Sequence, residues 1–222
     1  MKKIIHSLLL ISSITFAQIE KSVGDFTKVT SFDKIDVLLL SGTENKVILK
    51  ATNSEEVELI NNNGELKIRM PLTKILSGDN VSATVYYKKL NALEANEGSR
   101  ISCETEIKAI GFDIITKEGA EIVLNTLSAD KLKVRCGAGS IVTVKGTVKN
   151  QDILANSGAK YDGQDCISQQ TTVTVNAGGI ANVNVSDIVD AKTRAGGTIT
   201  IYGNPKQINQ KSVAGGKIIQ AK

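Results

Sequence analysis

The cysteines are the side chains of this 222-residue chain that could most readily act as nucleophiles or metal ligands. The three cysteines are Cys103, Cys136 and Cys166, and the only histidine is His6, close to the N-terminus. A cysteine nucleophile usually needs a histidine base, and a zinc site needs closely spaced cysteines or histidines. Neither pattern is present, so we predict no catalytic residue, no metal site and no cofactor. Buried small thiols are the favoured interpretation, and a disulfide or a reactive thiol is the alternative.

Carboxylates are the second group that could do chemistry, because lyases and hydrolases that act on polysaccharides gather several of them on one face. The acidic residues that the strand pattern directs outward, such as Glu121 and Asp162, are single charges among threonines, asparagines and apolar residues. That distribution is typical of a solvated sheet surface. We therefore predict that the chain is not an enzyme, and a polysaccharide-acting enzyme is the less favoured alternative.

Two asparagines form the candidate ligand-binding pair. Asn156 and Asn176 each precede a repeated glycine by two residues, so they are expected to be neighbours that share a side-chain hydrogen bond. Such amides could line a polar groove for a glycan. The alternative is that they only serve the turn chemistry beside a glycine.

A short motif positions all of these side chains: a small or polar residue, then glycine, then usually serine, alanine or glycine. It occurs seven times, with the glycines spaced by 18 to 21 residues. A period near twenty is typical of stacked repeats. We predict that a glycine marks a corner between two strands of each coil. The predicted corner glycines are Gly98, Gly119, Gly139, Gly158, Gly178, Gly196 and Gly215.

Apolar residues alternate with polar ones on both sides of each glycine, which is the period of a half-buried strand. A third apolar contact is expected after a turn in each coil, at Ile107, Leu127, Val148, Ile167 and Ile188. This pattern predicts an all-β fold, a right-handed parallel β-helix of about seven coils over residues 93–222. An antiparallel sandwich is the alternative, but it would not repeat like residues at this period.

Residues 18–92 are less regular and are expected to form strands and hairpins. Residues 26–40 are strand-like, and Asn63-Gly64 is a strong hairpin signal. We expect this region to pack on, or to continue, the N-terminal end of the solenoid as one compact unit with residues 93–222. No distinct cap follows Gly216, so self-association through the C-terminal end of the solenoid is also expected.

Residues 1–17 have the basic start, short apolar stretch and final small residue of a secretory signal peptide. The apolar stretch is too short for a stable membrane anchor. We expect an exported protein that is periplasmic, on the outer surface or secreted. Removing Lys2 and Lys3 leaves 25 basic residues against 23 acidic ones, from 27 and 23. The mature net charge of about +2 favours neither nucleic acid nor an anionic membrane as a partner.

Several short motifs together resemble one bacterial family. They are Phe26, Val29, Phe32, Ile35-Asp36-Val37, Gly42 and Gly64-Glu65-Leu66-Lys67-Ile68, followed by the glycine-, isoleucine- and asparagine-rich coils. Over residues 26–215 the chain is similar to the auto-transporter adhesin head GIN domain family, also catalogued as a domain of unknown function. The resemblance implies an exported β-helical protein of the Bacteroidetes type with an adhesive role, and it brings no catalytic motif.

We therefore expect a non-catalytic adhesin or ligand-binding module of the cell envelope. Its partner would be a surface or extracellular glycan or protein. A structural protein that self-assembles in the envelope is the alternative.

Overall fold

The computed structural model describes residues 18–50 and 56–221. These residues form a β-solenoid preceded by N-terminal strands, with 67% strand and a single-turn 3-10 helix at Leu72–Lys74. The predicted all-β solenoid is confirmed, and its right-handed winding stays a prediction. The predicted signal peptide, residues 1–17, and the predicted turn at residues 53–55 lie outside the described residues.

Seventeen strands form one continuous sheet. The strands of the N-terminal part are β1 (Gln18–Ser22), β2 (Lys28–Ser31), β3 (Asp36–Ser41), β4 (Lys46–Lys50), β5 (Glu58–Asn62), β6 (Glu65–Arg69) and β7 (Ser82–Tyr87). The strands of the solenoid are β8 (Ala92–Ala95), β9 (Arg100–Cys103), β10 (Ile107–Thr116), β11 (Glu121–Cys136), β12 (Ile141–Ala155), β13 (Lys160–Asn176), β14 (Ile180–Arg194), β15 (Thr198–Gly203), β16 (Gln207–Val213) and β17 (Lys217–Gln220).

Each coil of the solenoid pairs in parallel with its neighbours, and β11 shows the arrangement. Its residues 121–124 pair with β9, and its residues 127–136 pair with β10. On its other side β11 pairs with β12, with a register shift between Leu124 and Leu127. One long strand that bends at this irregularity therefore replaces the separate turn that was predicted here.

Tight corners connect the strands of each coil. At Ser157-Gly158 both residues have a left-handed backbone, with φ of 49° and 72°. A residue with a Cβ atom is strained in this conformation, and glycine avoids this strain at one of the two positions. The count of about seven coils was slightly high, because seven corners bound about six full turns. Left-handed pairs end at Gly98, Gly119, Gly139, Gly158, Gly178, Gly196 and Gly215.

Matched apolar columns fill the interior, as the alternation predicts. One column contains Ile122, Val142, Tyr161, Ala181 and Ile199, each paired in register with the equivalent residue of the next coil. None of these five side chains is exposed to solvent. The stacked coils therefore share a single dry core rather than separate small ones.

The N-terminal strands continue the solenoid in an order that differs from the sequence. Strand β2 lies between β6 and β8, and β3 lies between β7 and β9, with all four pairings parallel. The first coil of the chain is thus inserted between the second coil and the rest. The predicted hairpin at Asn63-Gly64 is confirmed, since β5 and β6 are antiparallel. Antiparallel β1 and β4 pair at this end and cover the parallel stack.

The first coil turns at a corner without glycine, which is why the glycine motif does not reveal it. Asp33 and Lys34 are both left-handed, with φ of 60° and 64°. The buried Asp33 carboxylate accepts hydrogen bonds from the backbone N–H groups of Met70 (3.0 Å) and Leu76 (2.9 Å). These bonds hold the connection from β6 to β7 in place. Residues 26–40, predicted to be one strand-like segment, therefore contain two strands, β2 and β3.

The last coil is much less buried than the others. The hydrophobic core is continuous from Phe26 to Ile201, and β16 and β17 contribute only partly buried isoleucines to it. The polar residues in the inward columns of this coil, Gln210, Ser212 and Gln220, are exposed. Polar side chains at these positions make this end compatible with water.

A charge cluster joins the inserted coil to its two neighbours. The Lys28 Nζ atom lies 2.9 Å from a Glu65 oxygen and 2.7 Å from a Glu94 oxygen. Burial by itself disfavours the charged carboxylates, but hydrogen bonds outweigh this effect and lower the pKa of both Glu65 and Glu94. The main bond to Glu65 comes from Thr30 and the main bond to Glu94 from Lys28. The cluster therefore ties three successive layers of the solenoid together.

We expect Lys28→Met to lower the free energy of unfolding by about 1–2 kcal/mol at neutral pH. Because the carboxylate pKa values are lowered by folding, their contribution is present above the ordinary value of 4.5 and is lost as the pH falls through the lowered values. The difference between the original chain and the variant should therefore shrink below about pH 4 in urea titrations. Lys206→Met, at an exposed ion pair, is the control. If the difference in unfolding free energy between the original chain and Lys28→Met did not change with pH, the stability could not be assigned to the ion pairs of Lys28 with Glu65 and Glu94.

A large ring is accommodated inside the solenoid because a neighbouring residue has no side chain. A Cβ atom built on Gly163 would lie 2.5 Å from the Tyr161 hydroxyl oxygen. That hydroxyl donates a 2.8 Å hydrogen bond to the side-chain oxygen of buried Gln151. The ring and its polar tip are thus both satisfied in the core.

We expect Gly163→Ala to cost about 1–3 kcal/mol of stability through overpacking. Tyr161→Val should cost about 2–5 kcal/mol by itself because it leaves a cavity. The double variant should cost clearly less than the sum, since the two residues share one space. Gly111→Ala is the control, because a Cβ atom there meets nothing within 4 Å. Urea unfolding measures the stability of all four variants. If the costs of Gly163→Ala and Tyr161→Val simply added in the double variant, the contact between the two residues would be unimportant.

Candidate functional site

The two asparagines predicted to bind a ligand lie side by side at the corners of adjacent coils. The Asn176 side-chain nitrogen donates a 2.7 Å hydrogen bond to the Asn156 side-chain oxygen, as expected from their shared column. The side-chain oxygen of Asn176 is buried and has no hydrogen-bond partner within the described residues. Because one polar atom of each asparagine amide is used in the hydrogen bond between them, few polar atoms of the pair remain free to bind a ligand. Its role in binding stays a prediction.

The outward carboxylates of Glu121 and Asp162 are both engaged with other side chains. Glu121 lies 3.1 Å from Arg100, and Asp162 lies 3.1 Å from Lys160. Asp162 also accepts a 3.4 Å hydrogen bond from the Asn182 amide. The contacts of Glu121 with Arg100 and of Asp162 with Asn182 join neighbouring coils, and such cross-strand pairs stabilise a sheet face. Lys160 lies on the same strand as Asp162. In residues 18–50 and 56–221, no group of three or more histidine, cysteine or acidic side chains could hold a metal ion.

The three cysteines are free thiols inside the core, at Cys103, Cys136 and Cys166. Burial raises the pKa of the Cys136 and Cys166 thiols to about 12. A thiol is nucleophilic only as the thiolate, so these two are unreactive near neutral pH. Cys103 lies 3.7 Å from the Tyr87 hydroxyl, and burial raises the pKa of that tyrosine to about 12, with Cys103 adding to the effect.

A long concave surface runs along one side of the solenoid, where the long strands bend. We call it the lateral groove. Its main part has a volume of about 1250 Å³ and adjoins a second part of about 470 Å³ through Gly111 and Asp113, which line both. Residues of six successive coils line the groove, from Ala92 in β8 to Ser186 in β14, so it is roughly 24 Å long at the strand spacing of about 4.8 Å. This length suits an extended ligand better than a compact one.

Small side chains form the floor of the lateral groove. Ala109, Ala129, Val148 and Ser168 are paired in register from coil to coil and are mostly buried. Their small size leaves room above them, since a longer side chain in this column would fill the groove. On the rim, Ile110 is 81% exposed and Ile167 is 52% exposed, which gives the groove two apolar points.

Charged side chains along the lateral groove are nearly balanced in sign. The lining lysines and aspartates are Lys89, Lys108, Lys131, Lys133, Lys149, Asp113, Asp130, Asp152 and Asp190. Several of these charges are already paired, with Asp130 lying 2.7 Å from Lys149 and Asp152 paired with Arg135. Among the described residues, most other side chains that line the groove carry hydroxyl or amide groups, and none is aromatic.

The sequence analysis did not predict this groove. It also predicted the wrong orientation for two residues that line it. Ile167 and Ile188 were predicted as inward contacts, but Ile167 is exposed and Ile188 only partly buried. Cys166 and Ser168 point inward instead, because the register shifts between Gly163 and Ile167. Such a shift exchanges the two faces of a strand. The small residues of the floor column are the one signal that could have indicated the groove.

No helix within the described part of the chain is both long enough and apolar enough to cross a membrane.

We expect all three thiols to resist iodoacetamide in the folded protein at about pH 8, because they are buried and two have a strongly raised pKa. All three should react after unfolding in urea. Mass spectrometry counts the alkylated cysteines. Rapid modification of the native protein would contradict the burial, and an unreactive pair in urea would reveal a disulfide.

A model of one protein family matches residues 25–205 of this chain. A solved structure titled as a putative adhesin from Bacteroides fragilis superposes with a TM-score of 0.86 at 16% sequence identity, over 94% of this chain and 98% of that chain. A putative adhesin from Parabacteroides merdae gives a TM-score of 0.74 at 14% identity, over 94% of this chain and 97% of that one.

A structure from Parabacteroides distasonis, titled as a putative lipid binding protein, gives a TM-score of 0.73 at 17% identity, over 93% of this chain and 96% of that one. At such identities the likeness shows the fold alone. No curated protein matches the chain. The family model covers both the N-terminal coils and the solenoid, so the chain belongs to the family described as "Putative auto-transporter adhesin, head GIN domain".

Proposed function

We propose that the chain is an exported, non-catalytic adhesive module of the cell envelope that holds a surface or extracellular ligand in the lateral groove. The observation that carries the proposal is the groove itself, a long concave surface that crosses six successive coils. Adhesion needs an extended, accessible surface more than it needs reactive groups. The family's description as adhesins supports the same role.

The carboxylates of the groove support a binding role over catalysis. A glycosidase needs two carboxylates that act together. In the lateral groove Asp130 and Asp152 are in ion pairs, and Asp190 accepts a 2.7 Å hydrogen bond from Asn209. Of the four aspartates that line the groove, Asp113 is then the one whose side chain has no hydrogen bond or ion pair within the described residues. One free carboxylate can orient a ligand but cannot supply both an acid and a base.

Two glycines allow the groove and the asparagine pair to be tested separately. Gly111 lines both parts of the groove, and Gly137 lies at the corner beside Asn156. A Cβ atom at either position meets nothing within 4 Å, and neither glycine has a left-handed backbone. A phenylalanine at either site should therefore fit the fold and cover only its own surface.

The mature chain, residues 18–222, should bind members of a panel of glycans and extracellular matrix proteins. Gly111→Phe should weaken that binding at least about tenfold, or about 1.4 kcal/mol, by filling the groove. Gly137→Phe should leave it unchanged, and circular dichroism should confirm that both variants are folded. Loss of binding only in Gly137→Phe would move the site to the asparagine pair, and no binding to any panel member would overturn the adhesive function.

Self-assembly in the envelope is the second candidate, favoured by the exposed strands of the last coil. Strand β16 pairs only with β14, and β17 only with β15, in the described residues. Unpaired strand edges are templates for another chain. Sedimentation of the mature chain over a range of concentrations tests this idea, since association should grow with concentration. A monomer at every concentration would remove this candidate.

A further inference from the structure

We infer that the lateral groove takes an extended, uncharged polysaccharide, with the chain of sugars lying along the solenoid axis. The inference rests on the proposed adhesive function and names its ligand class. Three observations carry it: the near balance of charge in the groove, the hydroxyl and amide groups that line it, and its continuation across successive coils at a constant spacing.

The charge balance argues against a strongly charged polymer. Five lysines and four aspartates line the groove. In one column that runs along it, Asp113, Lys133, Asp152, Thr172 and Asp190 follow each other in register. A polyanion would meet the three aspartates of this column, and a polycation would meet Lys133 there and the other four lysines that line the groove. An uncharged polymer avoids both penalties.

The polar groups of the groove suit the hydroxyl groups of sugars. Carboxylates and side-chain carbonyls accept hydrogen bonds from hydroxyl groups, while ammonium, amide and hydroxyl groups donate to them. Lys133 and Thr172 are exposed in the column, and neither side chain has a hydrogen bond or ion pair in the described residues. These free groups can bind a ligand without first breaking a bond within the protein.

The repeat spacing suits a repeating ligand. Neighbouring coils are about 4.8 Å apart, which is comparable with the length of one sugar ring in an extended chain. Each ring would then lie over the side chains of one coil, and the exposed side chains of Ile110 and Ile167 would contact the CH faces of rings. Because no aromatic side chain lines the groove, each ring should bind weakly and affinity should grow with chain length.

The experiment compares polymers of different charge by titration calorimetry with the mature chain. Mannan, dextran and laminarin are the uncharged probes, polygalacturonate and heparin are the anionic probes, and gelatin is the protein probe. At least one uncharged polysaccharide should bind, with an affinity that is insensitive to salt because no charge attraction is involved. Its oligosaccharides should bind more tightly as they lengthen, up to about the length of the groove.

Matched variants locate the contact. Thr172→Val removes a hydroxyl group from the groove and should weaken binding about three- to tenfold, the value of one hydrogen bond. Thr174→Val is the control, since it makes the same change two residues further along the strand and outside the lining of the groove. Gly111→Phe should abolish binding of the same polysaccharide.

The outcomes separate this inference from the proposed function. Groove-dependent binding of gelatin, or salt-sensitive binding of heparin or polygalacturonate, would overturn the inference and leave the adhesive function standing. Binding of an uncharged polysaccharide that is unaffected by Gly111→Phe and Thr172→Val would also overturn it. Failure of the chain to bind any polysaccharide, matrix protein or cell surface would overturn both.

Discussion

The parallel backbone ladder between successive coils is the constraint on which the rest of this structure depends. Each coil must return to the position of the one before it, so that its N–H and C=O groups meet those of its neighbour. The ladder then places equivalent side chains above one another, as Ile122 and Val142 are. A residue too large for its column affects a neighbour at once. Tyr161 shows this, because its ring is possible only where Gly163 leaves space.

The same ladder decides what the outer faces can do. Side chains of neighbouring coils stand close enough to pair, and Arg100 with Glu121 or Lys149 with Asp130 are examples. Such exposed pairs contribute little stability each. Their effect is to occupy charges that could otherwise gather into a catalytic group or attract a polyelectrolyte. The surface consequently carries many charges of both signs and only a small net charge.

The N-terminal end shows how a solenoid can be closed without a separate domain. The first coil lies between the second coil and the solenoid, and antiparallel strands cover the edge beyond them. Asp33 and Lys28 hold this arrangement through buried hydrogen bonds and charge pairs. The family model spans this region and the coils together, in agreement with a continuous core.

The sequence by itself determined the period of the coils, the positions of the corners and the inward columns that flank each corner. These features are local, because left-handed corners favour glycine and alternation follows from the geometry of a strand. It also anticipated the hydrogen bond between Asn156 and Asn176, since both occupy one column. Only the tertiary structure decided the place of the first coil, the inward turn of Gln151 and the lateral groove. Those depend on the glycine-free corner at Asp33 and on register shifts between coils, which are settled by packing against neighbours and leave no periodic trace in the sequence.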